Sequence, residues 1–196
     1  MQNEVKSKNG ESGSPFSFFG SLRGLCFAAI LAAMSIILGK FLQIPNPFQE
    51  FIRISFENLP IILGGIALGP VAGMCIGVVA DLIGCVTYGY TINPIITLGA
   101  AAVGAVSGLV SNYIVKRPLS LKVILSVVPA HLLGSVLIKS FGLASWYLAK
   151  YELGMTEFIL WRLLNYSLVG AAECVILYIL LKNRAFSRQM EGLLKK

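Results

Sequence analysis

The fold class this sequence predicts is an all-α membrane protein of six transmembrane helices, and three observations carry it. Of the 196 residues, 56% are hydrophobic and only 13% charged, with a mean hydropathy of +0.79; soluble domains carry about 25% charge. Apolar runs follow one another along the chain, separated by short segments rich in proline, glycine, aromatic or basic residues. Several of those runs place small residues four apart. That spacing lets helices approach closely in lipid, where association rests on packing rather than on expelling water.

The same composition narrows the function classes. The net charge is +7, but the basic residues do not cluster on one amphipathic surface, so no nucleic acid is expected as a partner. The four cysteines (Cys26, Cys75, Cys85, Cys174) lie in apolar runs without a C-x-x-C pair and read as small buried hydrophobes. A single histidine excludes a multi-histidine metal site, and no cofactor is expected in this chain. Nor is it expected to be an enzyme. Ser107 sits in G-x-x-S-G rather than the G-x-S-G of rhomboid peptidases, and only His131 would be available as its base.

Residues 1–19 are polar and read as a disordered cytoplasmic tail; residues 20–182 read as a single transmembrane domain, followed by a basic cytoplasmic tail, 183–196. The first span is expected over residues 21–42. Gly24, Ala28 and Ala32 form one small-residue stripe along it, and Ala29 and Ala33 a second beside it. Residues 43–54, with Pro45 and Pro47, form a stiff aromatic loop suited to a lid. The second span, 55–68, is short: 14 residues reach about 21 Å against a hydrocarbon core of about 30 Å, which favours a cavity at its outer end.

Gly69-Pro70 reverses the chain into a third span over 71–86, and Gly65, Gly69, Gly73 and Gly77 place bare backbone on one helix face. Asn93-Pro94 signals an N-cap and first turn for a fourth span that runs to residue 115. A fifth span over 121–141 is expected to kink at Pro129. Residues 142–157, with Trp146, Tyr147 and Tyr151, read as an outer aromatic loop, and the sixth span covers 158–181.

Six spans put both termini on one side. Eleven of the 16 basic residues fall on that side, which the positive-inside rule makes cytoplasmic in the plasma membrane. The other five, Lys40, Arg53, Lys139, Lys150 and Arg162, serve either to bind an anion or to snorkel at the interface. Arg53 and Glu57 stand four apart, as an ion pair or as part of a site. His131, Ser135 and Lys139 share one helix face, and Tyr88, Tyr90 and Asn93 flank the start of the fourth span. Asp81, His131 and Glu173 fall at one depth, about 14 Å from the inner ends of their spans. They read as a paired polar layer holding the third, fifth and sixth spans in register.

The runs R-I-S-F-E-N-L-P (53–60), G-P-V-A-G (69–73) and D-L-I-G (81–84) resemble the substrate-binding S components of energy-coupling factor (ECF) vitamin transporters. Residues 53–63 are most similar to the folate-specific branch. The resemblance implies an S-component bundle that captures a vitamin from outside. It also implies docking on a transmembrane T component and two cytoplasmic ATPases, and the absence of a G-x-x-x-x-G-K-[ST] loop from this chain agrees with ATP being hydrolysed elsewhere. The family's docking face maps to Ala28, Ala29, Ala32 and Ala33. For folate, Asn165 would exchange hydrogen bonds with the pterin edge, with Trp161 one turn away to stack and Phe48 on the lid to cover the ring. Arg53, Glu57, Tyr88, Asn93, His131 and Lys139 complete the candidate site. Other B vitamins (thiamin, pantothenate, riboflavin) and a ligand-free structural membrane protein stand as alternatives.

Overall fold

The computed structural model of the chain describes residues 21–45, 53–115, 118–151 and 154–194. Phe48 and the middle of the expected lid lie outside the described residues, as do the 1–19 tail and the side chains of Trp146, Tyr147 and Lys150.

Eight α-helices are described: α1 Leu22–Phe41, α2 Asn58–Leu68, α3 Pro70–Tyr88, α4 Pro94–Leu109, α5 Leu119–Ala130, α6 Lys139–Tyr151, α7 Met155–Lys182 and α8 Arg184–Leu194. Helix α4 runs on into a π-helical turn, Val110–Ile114, and a π-helical stretch, His131–Ile138, joins α5 to α6. Five segments are long and apolar enough to cross a membrane: Leu22–Phe41, Pro70–Tyr88, Pro94–Ile114, Leu119–Ala144 and Met155–Lys182.

The expected second span is not among them. Helix α2 has 11 residues, which reach about 16 Å, and all of them are buried. A helix that is apolar all round belongs inside a bundle. Accordingly α2 is the axis on which α1, α3, α4, α5 and α7 pack. Because it stops short, its N-terminus ends among side chains of the longer helices.

Glycine decides the tightest contacts. A Cβ on Gly73 would meet the Gly104 carbonyl at 2.5 Å, and one on Gly65 would meet the same oxygen at 2.6 Å. Gly77 lies as close to the backbone of Ala100. The expected stripe therefore finds its partner on α4, where G-A-V-S-G places Gly104 and Gly108. Gly69 is the exception. It has φ 100 and open space around its Cα, and it is the turn between α2 and α3.

Helix α1 sorts its two stripes. Gly24, Ala28, Leu31, Ala32, Ser35 and Gly39 face inward, while Ala29 and Ala33 stay exposed. Two further expectations are corrected. Residues 142–151 are helical, so α6 runs into the segment expected to be a loop, and α7 begins at Met155. The segment carries two Leu, two Ala and a Lys, good helix formers, and no proline, and a helix need not stop at the membrane face. The expected 43–54 loop carries two short antiparallel strands, β1 Ile44–Pro45 and β2 Arg53–Ile54, with Ile44 opposite Ile54.

Candidate substrate site

The site is built on the N-terminus of α2. There Glu57 and Asn58 meet side chains from α6 and the π-helical stretch. Glu57 Oε1 accepts a hydrogen bond from Lys139 Nζ at 3.0 Å. The Lys139 ammonium holds the Glu57 carboxyl below its ordinary value, against the opposing effect of burial. Gly99 makes room for the Lys139 stem and Gly39 for Glu57, since a Cβ at either would press on those side chains. Ser35 Oγ donates to Glu57 O at 2.6 Å and ties the turn to α1.

A second group lies on α7. Arg162 Nη2 donates to Ser135 O at 2.5 Å. Its guanidinium carbon stands 5.3 Å from the Tyr166 ring centre and 5.6 Å from that of Phe158. One turn further along, Asn165 Nδ2 donates to Arg53 O at 3.4 Å, a weak bond that fastens α7 to β2. Trp161 is half-buried a turn before Asn165. Asn58 Nδ2 donates to Ser135 Oγ at 3.3 Å. Among the described residues, Asn58 Oδ1, Asn165 Oδ1 and Arg162 Nε are buried without a hydrogen-bond partner. Unmet buried polar atoms are expensive, and three of them around one helix end mark a place for a ligand's donors and acceptors.

Arg53 is exposed. Its Nη1 donates to Gln43 Oε1 and to Tyr90 OH, each at 3.1 Å, which holds β2 against the start of the chain reversal. Tyr88 donates to the Ile36 carbonyl and meets Tyr90 edge to face, with ring centres 5.9 Å apart. Lys40 Nζ lies 5.4 Å from the Tyr88 ring centre. Four of the five outer basic residues therefore fall into one linked constellation: Lys40, Arg53, Lys139 and Arg162.

Other expected site residues hold partners within the chain. Asn93 Oδ1 caps α4 at Ile95 N, and its Nδ2 donates to Gly142 O at 2.8 Å. His131 Nε2 stands 2.6 Å from Glu173 Oε2, and its Nδ1 stands 3.3 Å from Ser135 Oγ. The expected single polar layer divides. His131–Glu173 joins the π-helical stretch to α7, whereas Asp81 accepts from Thr97 Oγ1 at 2.6 Å and joins α3 to α4. Depth along a helix does not fix azimuth, and Asp81 points to a different neighbour.

Arg162 was named with the outer basic residues but not as a site residue. The signal that would have found it is its spacing of three from Asn165, which puts both on one helix face.

A short buried helix inside a ring of spanning helices, with a polar and cationic cluster over its N-terminus, defines a membrane-embedded binding protein. Residues 23–182 match the family model "ECF transporter, substrate-specific component", and the chain belongs to that family. Its fold is that of two solved structures. One is a crystal structure of FolT bound with folic acid: TM-score 0.63, 21% identity, covering 80% of this chain and 90% of that one. The other is the S component of a bacterial ECF transporter: TM-score 0.58, 22% identity, covering 88% and 97%. No curated protein matches the sequence. As a substrate-specific component, the chain is a substrate-binding subunit of a membrane transporter.

Proposed function

We propose that this chain is the high-affinity binding subunit of an ATP-driven vitamin uptake transporter and that its vitamin is folate, taken from the extracellular side. The observation that carries the reading is the cluster over α2, where Asn58 Oδ1 and Asn165 Oδ1 are buried acceptors beside cationic side chains. A pterin edge offers an amino group and a ring N–H, which such acceptors take. Trp161 supplies an aromatic face one turn from Asn165, and the carboxylates at the other end of folate meet the cationic side of the cluster. The solved relative bound with folic acid supports the same choice. In this reading the chain docks on a T component with two ATPases in the plasma membrane, with its termini in the cytoplasm.

The test is titration of the purified protein in detergent with folic acid, read by tryptophan fluorescence; the chain has two tryptophans, Trp146 and Trp161. Saturable quenching is expected. Asn165→Ala is expected to weaken binding about tenfold, the equivalent of one hydrogen bond in a dry site, with unfolding unchanged. A wild-type protein that ignores folic acid and saturates with thiamin or riboflavin would show a different vitamin.

A further inference from the structure

We propose that Arg162 is the residue that takes a carboxylate of the substrate, an inference that rests on the substrate-binding reading above and names the group recognised.

The charges around α2 carry the argument. Lys139 is already matched, with Glu57 Oε1 at 3.0 Å. Glu173 is engaged with His131 at 2.6 Å. Arg162 is 9% exposed, and among the described residues no carboxylate lies within ion-pair distance of it. Among the described residues Arg162 donates one hydrogen bond, to a neutral backbone carbonyl, Ser135 O, and its Nε has no partner. A buried cation with no carboxylate in contact is costly: the Ser135 carbonyl, the two aromatic rings and the more distant Glu57, which is itself held by Lys139, replace only part of the lost hydration. An anion arriving from outside relieves that cost, which a neutral ligand would not.

The geometry suits a carboxylate. Phe158 and Tyr166 pack against the guanidinium, so its plane is held before the ligand arrives. The bond to Ser135 O fixes one Nη2 hydrogen. That carbonyl lies in the π-helical stretch, where Lys139 N–H reaches back five residues to Gly134 O and the change in bonding pattern leaves a carbonyl for a side chain. Nε and the remaining guanidinium hydrogens form the fork that binds a carboxylate by two parallel bonds. Arg162 and Asn165 share a helix face, which brings both to the cluster over α2.

The test compares folic acid with 6-hydroxymethylpterin, which keeps the ring and lacks every carboxylate. Both are titrated into wild type, Arg162→Gln and Arg162→Lys in detergent. Arg162→Gln is expected to weaken folic acid by at least about tenfold, the worth of a charge-assisted hydrogen bond, while 6-hydroxymethylpterin changes by less than about twofold. Arg162→Lys keeps the charge but loses the fork, and it should fall between for folic acid; it carries the comparison if Arg162→Gln does not fold. Equal losses for the two ligands would make Arg162 a structural strut and overturn the proposal, as would no loss at all. Pantothenate, biotin, thiamin and riboflavin are titrated alongside. A wild type that takes pantothenate or biotin instead, and loses it in Arg162→Gln, retires folate and retains Arg162. One that prefers thiamin or riboflavin, or binds no vitamin, overturns the proposal.

Discussion

Lys139 Nζ and Glu57 Oε1 stand 3.0 Å apart across 82 residues of chain, and their contact closes α6 onto the N-terminus of the buried helix α2. The contact pairs Glu57 with Lys139, while Arg162, also buried, has no carboxylate of the described residues within ion-pair distance.

Removing one partner strands the other. Lys139→Met is expected to destabilise the protein by about 2 kcal/mol, less than for a fully enclosed pair because the Glu57 side chain keeps 35% of its exposure. The pair also sets a pH dependence. Lys139 lowers the Glu57 pKa from its ordinary 4.5, so the stabilisation is full above pH 4.5 and is lost as pH falls below it through the lowered value. Thermal unfolding in detergent between pH 3 and pH 7 checks this. A Lys139→Met protein that keeps the wild-type acid slope would show that the slope comes from other groups.

The alanine stripes of α1 separate packing from docking. Ala32 is 5% exposed, so Ala32→Trp is expected to overpack the core by about 1–3 kcal/mol or to prevent folding. Ala29 and Ala33 are exposed, so Ala29→Trp and Ala33→Trp should leave folding and substrate binding intact. If this face meets the T component, both should abolish uptake by the assembled transporter. Uptake at the wild-type rate in both variants would place docking on another surface.

The α3–α4 contact has no slack at Gly104, because the neighbour that a Cβ would strike is the Gly73 backbone rather than a side chain that can swing aside. Gly104→Val is expected to lower stability by about 3 kcal/mol, at the high end of overpacking. Gly69→Ala should destabilise too, but through its positive φ and not through a clash. Measuring both by thermal unfolding separates the two mechanisms. A Gly104→Val protein as stable as wild type would mean that α3 and α4 part easily.

Much of this architecture is legible in the chain. The caps at Asn93-Pro94 and the reversal at Gly69-Pro70 are local chemistry, and both are found. Two segments depart from that reading, for different reasons. Residues 55–68 read as a span because their hydropathy is that of a span, yet α2 is enclosed by protein; apolar surroundings look alike in sequence whether lipid or side chains supply them. Residues 142–151 read as an outer loop because of their aromatic residues, but the helix that begins at Lys139 runs through them to Tyr151.

The sequence by itself determined the membrane class, the starts of α1, α3 and α4 to within a residue, the small-residue faces and the five outlying basic residues, because hydropathy, capping and spacing act over one or two turns. Only the tertiary structure decided which stripe of α1 faces inward, that Glu57 belongs to Lys139, that Asp81 and His131 part company, and that Arg162 is buried with no carboxylate of the described residues within ion-pair distance. Each of these depends on the azimuth of one helix against another, and that angle is set by packing between segments far apart in the chain.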